Sequence, residues 1–413
     1  MTTTVTIREW EKTPITSLTK KQCAAIAKYT NLKVSWDGGL TECTINPSGV
    51  VGVYRFPGGQ LAVESKVPIQ NLTLLWFYAD SALATFDDVE LKTNDFVVLS
   101  AQLFAKELEA ALKGGMYKAY VHKAEAQEFL RGRLDINKQI SRHFLQALPL
   151  ELNYKELSFN VPENQILLTT LSYLESELIS ESNNYHSSHN PLLLETLRRT
   201  RALRREFTDI DRLRDFKHLP QWTKTPLNSR FHRVLHMGEL ILQGARIELE
   251  AGELHGQGYE LQVEKIFESF LTKACAENSA PYNVRDQVKR TISIKPAVTF
   301  KPDIIVYREG TPVAVLDAKY KYAGNEKSSH VLNADVYQLT TYAVNLGLNA
   351  AALVYAGSAP TSVFRISESM TVIQFSIDLS LPLADCIERA QEIRDAMIKF
   401  HLGVYTIEDV VRA

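Results

Sequence analysis

The chain has 413 residues, 45% of them hydrophobic and 23% charged, the composition of a folded protein with room for two or three domains. A formal net charge of −2 excludes a protein that gathers nucleic acid by bulk charge; any basic surface is local or supplied by a partner. The four cysteines, Cys23, Cys43, Cys275 and Cys386, lack C-x-x-C spacing, which argues against a zinc site or a disulfide framework and for free thiols. The N-terminus lacks the apolar core of a signal peptide, and no run approaches a membrane span. The expectation is a cytoplasmic protein with no membrane association.

Residues 1–66 read as a small β-rich module. Thr4–Trp10 alternates, Lys20–Tyr29 forms a short helix, and Leu32–Trp36 precedes an Asp37-Gly38-Gly39 turn. Gly49–Phe56 and Gln60–Lys66 read as strands joined through Pro57-Gly58-Gly59, a hairpin signal. Residues 67–250 are mainly helical. Ile69–Tyr78 has a period near 3.6, and Asn94–Leu112 turns Phe96, Leu99, Leu103, Phe104, Leu108 and Leu112 inward. Tyr117–Val121 is a short strand, and Gly132 between Arg131 and Arg133 suits a turn that presents two cations. Helices are expected over Asn137–Ala147 and Asn164–Ser180. Leu192–Lys217 is the most basic helix, with Arg198, Arg199, Arg201, Arg204 and Arg205; it reads either as a salt-bridged face or as a contact for phosphate or a partner.

Two histidine pairs carry little. His186 and His189 lie in a polar loop without acids or cysteines at ligand spacing. His232 and His236, four apart on a helix over Phe231–Leu254, lack the intervening glutamate of a zincin and read as a packed or surface pair.

Residues 251–413 carry the chemistry. Tyr259–Ala276 reads as a helix with Val263, Ile266, Phe267, Phe270, Leu271 and Ala274 as its apolar stripe and Glu268 among its polar positions. Lys301–Lys319 reads as a hairpin: a strand over Asp303–Tyr307, a turn punctuated by Gly310 and Pro312, and a strand over Val313–Lys319. Strand alternation puts Asp317 and Lys319 on one face with Ala318 turned away, and closing the hairpin returns Asp303 beside them. Two carboxylates and an ammonium then converge. That set suits Mg²⁺, with Mn²⁺ as a substitute, and phosphodiester hydrolysis. Downstream, Gln338 and Tyr342 are four apart and share a helix face. Ala350–Tyr355 and Thr371–Ser376 read as strands and Ser380–Phe400 as an amphipathic helix.

Pro302-Asp303 with Asp317-Ala318-Lys319 resembles the PD-(D/E)XK nuclease signature, and Gln338 with Tyr342 resembles the QxxxY element of its RecB-like members. The resemblance implies Asp303 and Asp317 as metal ligands, Glu268 as the helical acid that binds metal or water, Lys319 as the residue that assists the nucleophile, and Gln338 and Tyr342 as positioning groups. Phe129–Ile140 and Glu156–Ile166, followed by these motifs, are similar to the McrC family over Val51–Tyr342. That resemblance implies the nuclease subunit of a GTP-driven, modification-dependent restriction complex that cuts double-stranded DNA. It also implies a separate AAA+ GTPase hexamer of the McrB type, which this chain would bind and stimulate. No GxxxxGK[ST] occurs here, as befits a nuclease without a motor. Two alternatives stay open: an activator of the AAA+ partner with a vestigial nuclease fold, and a stand-alone RecB-like repair nuclease. The fold class expected is mixed α/β (α+β), ending in a nuclease core with a mixed sheet flanked by helices.

Overall fold

The computed structural model describes residues 3–412 apart from 28, 30, 37–42, 48, 81–94, 143–147, 184–189, 215–217, 246–257, 295–296 and 321–328. The Asp37-Gly38-Gly39 turn, His186, His189 and Lys217 therefore lie outside the described residues. The chain packs as two units: Met1–Leu99 together with Gly244–Ala413, and Ser100–Gln243.

The first unit opens with β1 (Thr3–Arg8), β2 (Thr13–Ile15), α1 (Lys20–Ile26), β3 (Leu32–Trp36), β4 (Cys43–Pro47), β5 (Val50–Phe56), β6 (Gly59–Glu64) and α2 (Ile69–Ala79). α1 starts where Thr19 and Gln22 form a reciprocal capping box. β5 and β6 turn through Pro57-Gly58, with Phe56 paired to Gly59 and Gly58 at φ 85°. β1 then lies parallel to β6. Ile7, Ile26, Ile45, Tyr54, Leu61 and Val63 pack into one core, because alternate residues of β4 and β6 turn inward.

β5 has a second neighbour 200 residues away. Tyr259–Gln262 pairs antiparallel with it, Glu260 opposite Gly52. A Cβ on Gly52 would stand 2.1 Å from the Tyr259 carbonyl oxygen, so only glycine permits this approach. Tyr54 Oη donates to Glu260 Oε2 at 2.9 Å, and Asn31 Nδ2 donates to Glu260 Oε1. Tyr259–Gln262 is thus a strand, not the first turn of the expected helix. Its four residues adjoin the helix directly, so local periodicity merges the two.

The second unit begins inside α3 (Phe96–Leu112), whose first turn belongs to the first unit. It holds β7 (Ala119–Gln127), β8 (Arg133–Leu134), α4 (Ile136–Arg142), β9 (Leu150–Ser158), α5 (Pro162–Ser182), α6 (Pro191–Glu206) and α7 (His232–Gly244). β9, which the hydrophobic pattern does not announce, is central to the sheet β7-β9-β8. Asn164, fully buried, donates to the Tyr117 and Phe159 carbonyls and so ties the start of α5 to the preceding chain. The arginines of α6 are largely spent within the unit. Arg199 grips Glu109 through two nitrogens, at 2.6 and 2.5 Å, and Arg201 and Arg204 share Glu175. For these three the salt-bridged alternative holds. Arg131 is engaged likewise, 4.4 Å over the Tyr154 ring and 3.1 Å from Glu156.

The first unit resumes with Tyr259–Gln262 as β10, then α8 (Val263–Ala276), β11 (Asn283–Asp286), β12 (Arg290–Ile294), β13 (Ala297–Phe300), β14 (Ile304–Arg308), β15 (Thr311–Lys319), α9 (Ser329–Leu346), β16 (Ala350–Ala356), β17 (Ser362–Ser367), β18 (Met370–Ile377), α10 (Leu383–His401) and α11 (Ile407–Arg412). A six-stranded sheet runs β11-β14-β15-β16-β18-β17. Its central strands β15, β16 and β18 are parallel and its edges antiparallel. α9 packs Val336, Leu339 and Ala343 against Ile305, Val315 and Leu353. α8 and α10 pack against each other and against β15. With helices on both faces, β15 and β16 bury nearly every residue, as parallel strands do. The architecture is the mixed α/β fold expected.

The packing does not follow the expected segments 1–66, 67–250 and 251–413. β5 pairs with β10, the Tyr78 ring on α2 stands 5.9 Å from Phe270 on α8, and Lys273 Nζ donates to the Tyr78 carbonyl at 2.6 Å. Residues 1–99 therefore share a unit with residues 244–413, and Ser100–Gln243 interrupts it.

Candidate active site

The β14–β15 hairpin places the central residues. Glu309 and Gly310 form its two-residue turn, both in the left-handed region at φ 50° and 87°, a geometry that matches strand twist. Pro312, which has no N–H to donate, sits opposite Tyr307 where the register shifts. From there Ile304 pairs with Leu316. Asp303 consequently falls beside Ala318, whose N–H donates to Asp303 Oδ2 at 2.9 Å. Asp317 is 2% exposed, and Lys319 Nζ lies 2.5 Å from its Oδ2. The three residues expected to converge do so.

Burial dominates their electrostatics. It pushes the Asp317 carboxyl up to about 7, aided by the negative charge of Asp303 and opposed by Lys319. Asp303 is also raised by burial; the Ala318 N–H opposes the shift, and the charge of Glu268 adds to it. For Lys319, burial pulls downward, but the adjacent Asp317 more than offsets it and the ammonium ends above its ordinary value. Glu268, half-buried on α8, is raised by desolvation and by Glu264, with Asp317 adding and Lys319 opposing. Glu268 thus faces the pair. Among the described residues no group of three His, Cys, Asp or Glu closes around one metal position.

Gln338 and Tyr342 meet on α9, Gln338 Nε2 donating to Tyr342 Oη at 2.6 Å. The Tyr342 ring stacks on Phe300, with centroids 5.3 Å apart. Burial raises its hydroxyl, and the charges of Asp317, Lys319 and Asp303 all act on it. The element therefore borders the acidic pair.

Two further residues belong here. Asp335, three residues before Gln338 on α9, accepts from Tyr355 Oη at 3.1 Å and helps raise Lys319. Its place one turn from Gln338 was the available signal. Glu9, fully buried, accepts from Tyr320 Oη at 2.8 Å and from the Lys66 N–H at 2.7 Å. Tyr320 follows Lys319 directly, so the chain just after β1 anchors the end of β15. No local pattern links Glu9 to a residue 311 positions away.

The residues fit a hard divalent cation. Asp317 Oδ2 is buried and receives no hydrogen bond beyond its ion pair with Lys319. A second carboxylate, already oriented by a backbone N–H, adjoins it. Two carboxylates leave coordination positions for water and substrate oxygen, the usual Mg²⁺ arrangement. The remaining histidine pair is packed: His232 Nε2 lies 2.7 Å from Asn228 Oδ1, and His236 Nδ1 lies 3.2 Å from Glu239 Oε2.

Residues 45–356 match the family described as McrBC 5-methylcytosine restriction system component. The chain belongs to the McrBC family. The match contains the Arg131–Asp135 and Glu156–Ile166 segments and all six candidate site residues. A McrBC-family fold also appears among solved structures. One chain of a refined half-complex of Thermococcus gammatolerans McrB AAA+ hexamers with bound McrC is 20% identical, with a TM-score of 0.57 over 94% of this chain and 99% of that one. A chain of the Thermococcus gammatolerans McrBC complex is 19% identical, with a TM-score of 0.40 over 68% of this chain and 89% of that one. A search of curated proteins finds no significant match. No described helix is long and apolar enough to cross a membrane.

Proposed function

We propose that this McrBC-family chain is the metal-dependent endodeoxyribonuclease subunit of a cytoplasmic restriction complex driven by GTP and directed at modified DNA. The observation that carries this reading is the convergence of Asp303, Asp317 and Lys319, with a buried Asp317 oxygen whose one polar neighbour is the Lys319 ammonium. Asp303 and Asp317 would hold Mg²⁺, or Mn²⁺ in its place. When bound, the ion supplies Lewis-acid polarisation of a phosphoryl oxygen and a lower pKa for water. Lys319 keeps its proton near Asp317 and offers a fixed positive charge to the phosphorane. Glu268, with its raised pKa, can accept a proton from the attacking water. Gln338 and Tyr342 hold each other across one turn and orient the strand beside the pair. An intact acidic pair with its lysine favours an active nuclease over a vestigial fold.

The partner is an AAA+ GTPase hexamer of the McrB type, which this chain binds and stimulates. The second unit supplies a surface suited to it. Phe129 and Leu130 between β7 and β8 are 80% and 70% exposed, and Tyr120 and Leu157 form an exposed cross-strand pair. Large apolar side chains left exposed at both ends of this ladder suit contact with a protein partner. The test is cleavage of double-stranded DNA with the hexamer, GTP and Mg²⁺. Asp317→Ala should abolish cutting yet preserve stimulation of GTP turnover. Robust cutting by that variant would remove Asp317 from the site, and efficient cutting by the chain alone, without nucleotide, would favour a stand-alone repair nuclease.

A further inference from the structure

We infer that Trp10 and the cleft beside it form a subsite for one nucleobase of the DNA strand, lifted from its stack next to the cutting centre. The inference rests on the nuclease reading and adds a DNA-contacting residue from the N-terminal module.

Trp10 is held at φ 64°. A bulky residue rarely adopts that conformation, and its occurrence outside a catalytic core is a pointer to function. The backbone is pinned there: the Trp10 N–H donates to the Pro47 carbonyl, and the neighbouring Glu9 is buried against Tyr320. One edge of the indole rests over Gly49, where an added Cβ would lie 3.1 Å from the ring and 3.4 Å from the Glu264 side chain. Glu264 is one helical turn before Glu268 on α8. The indole and the Glu264 side chain thus flank the same glycine, and the indole is still 37% exposed.

The exposed part borders a cleft of about 170 Å³ at the ends of the parallel strands β15, β16 and β18. Tyr320, Ser358, Asp378 and Ser380 line it, with Lys66. That volume accommodates roughly half a dozen waters, so it takes one flat ring system and not a whole nucleotide. Its chemistry selects the ring over the phosphate. Asp378 Oδ1 is fixed in place by the Ser380 N–H at 2.9 Å and its hydroxyl at 2.6 Å. A carboxylate in the wall repels a phosphate but accepts from the exocyclic amine of a base. The indole supplies the stacking face, which suits any base.

The experiment measures binding of the full-length chain to a fluorescein-labelled single-stranded oligonucleotide by anisotropy, at low salt with chelator present, so that cleavage plays no part. One stacked base is worth roughly 1–3 kcal/mol. Trp10→Ala should therefore weaken binding by about fivefold or more, and Trp10→Phe should retain most of the affinity. An abasic tract of equal length has the phosphates without the bases and should not distinguish the wild type from Trp10→Ala. Ser358→Phe, which fills the cleft and leaves the bed of Trp10 intact, should weaken oligonucleotide binding as Trp10→Ala does and covers the case in which Trp10→Ala misfolds. Equal affinities for the wild type and both cleft variants would overturn the subsite, and so would an equal loss on the abasic tract. Failure of the wild type to cut double-stranded DNA with the hexamer, GTP and Mg²⁺ would defeat the nuclease reading and leave these binding results untouched.

Discussion

Replacing Asp317 by Asn should make the metal-free protein less sensitive to alkaline pH. The substitution keeps the shape of the side chain and removes a charge that the fold resists. A carboxyl held at about 7 in place of its ordinary 3.8 carries about 4 kcal/mol against ionisation. Because the folded-state value is raised, the stability it contributes is fully present below the unfolded value and is lost as pH rises through the folded one. Between about pH 5.5 and about pH 8.5 the wild type should lose about 2 kcal/mol through this group, and Asp317→Asn should not. Lys319 retains the neighbouring charges of Asp303 and Asp335 in the variant. The assay is urea unfolding of both proteins at the two pH values in chelator. Excess Mg²⁺ at about pH 8.5 should then restore the wild type, by about 2.7 kcal/mol at one hundred times its Kd, and leave Asp317→Asn unchanged. Parallel losses in the two proteins between the two pH values would refute the placement of a strained carboxylate at Asp317.

Two other outcomes test the surroundings. Tyr342→Phe removes the acceptor of the Gln338 amide but keeps the ring on Phe300. Single-turnover cleavage should fall by about tenfold, with Mg²⁺-dependent stabilisation unchanged; a change in apparent metal affinity would make Tyr342 part of the metal site. Truncation after Glu250 leaves β5 without β10 and Tyr78 without Phe270. The fragment should show rapid proteolysis within residues 1–99 but a persistent core from Ser100–Gln243, and protection of the whole N-terminal sheet would contradict the division into units.

The acidic pair was legible in the sequence because a hairpin is local. Gly310 turns the chain, alternation aligns Asp317 with Lys319, and antiparallel pairing returns Asp303. Gln338 and Tyr342 were legible for the same reason, as i and i+4 on a helix. Glu268 was legible as a polar position opposite the stripe Val263–Ala274, every member of which is buried. What escaped depends on distant partners. β9 alternates too weakly to announce itself, and β10 is four residues long and reads as helix. Glu9 looks like an ordinary strand-end charge until Tyr320 arrives. The arginines of α6 gave a basic face whose pairing with Glu109 and Glu175 lies in other helices.

The interrupted first unit also bears on how the protein is made. Residues 1–99 leave the ribosome well before β10, which closes their sheet, and before α8, which covers α2. About 160 residues separate Leu99 from Tyr259, so at roughly 5–20 residues per second the early segment waits on the order of ten to thirty seconds with Val50, Tyr54 and Tyr78 lacking their later neighbours. Glu9 waits longer still for Tyr320. A chain whose β15 strand is anchored through Glu9 cannot assemble that anchor until synthesis has passed both ends of the contact, so translational truncation products ending before β15 lack both Asp317 and Lys319.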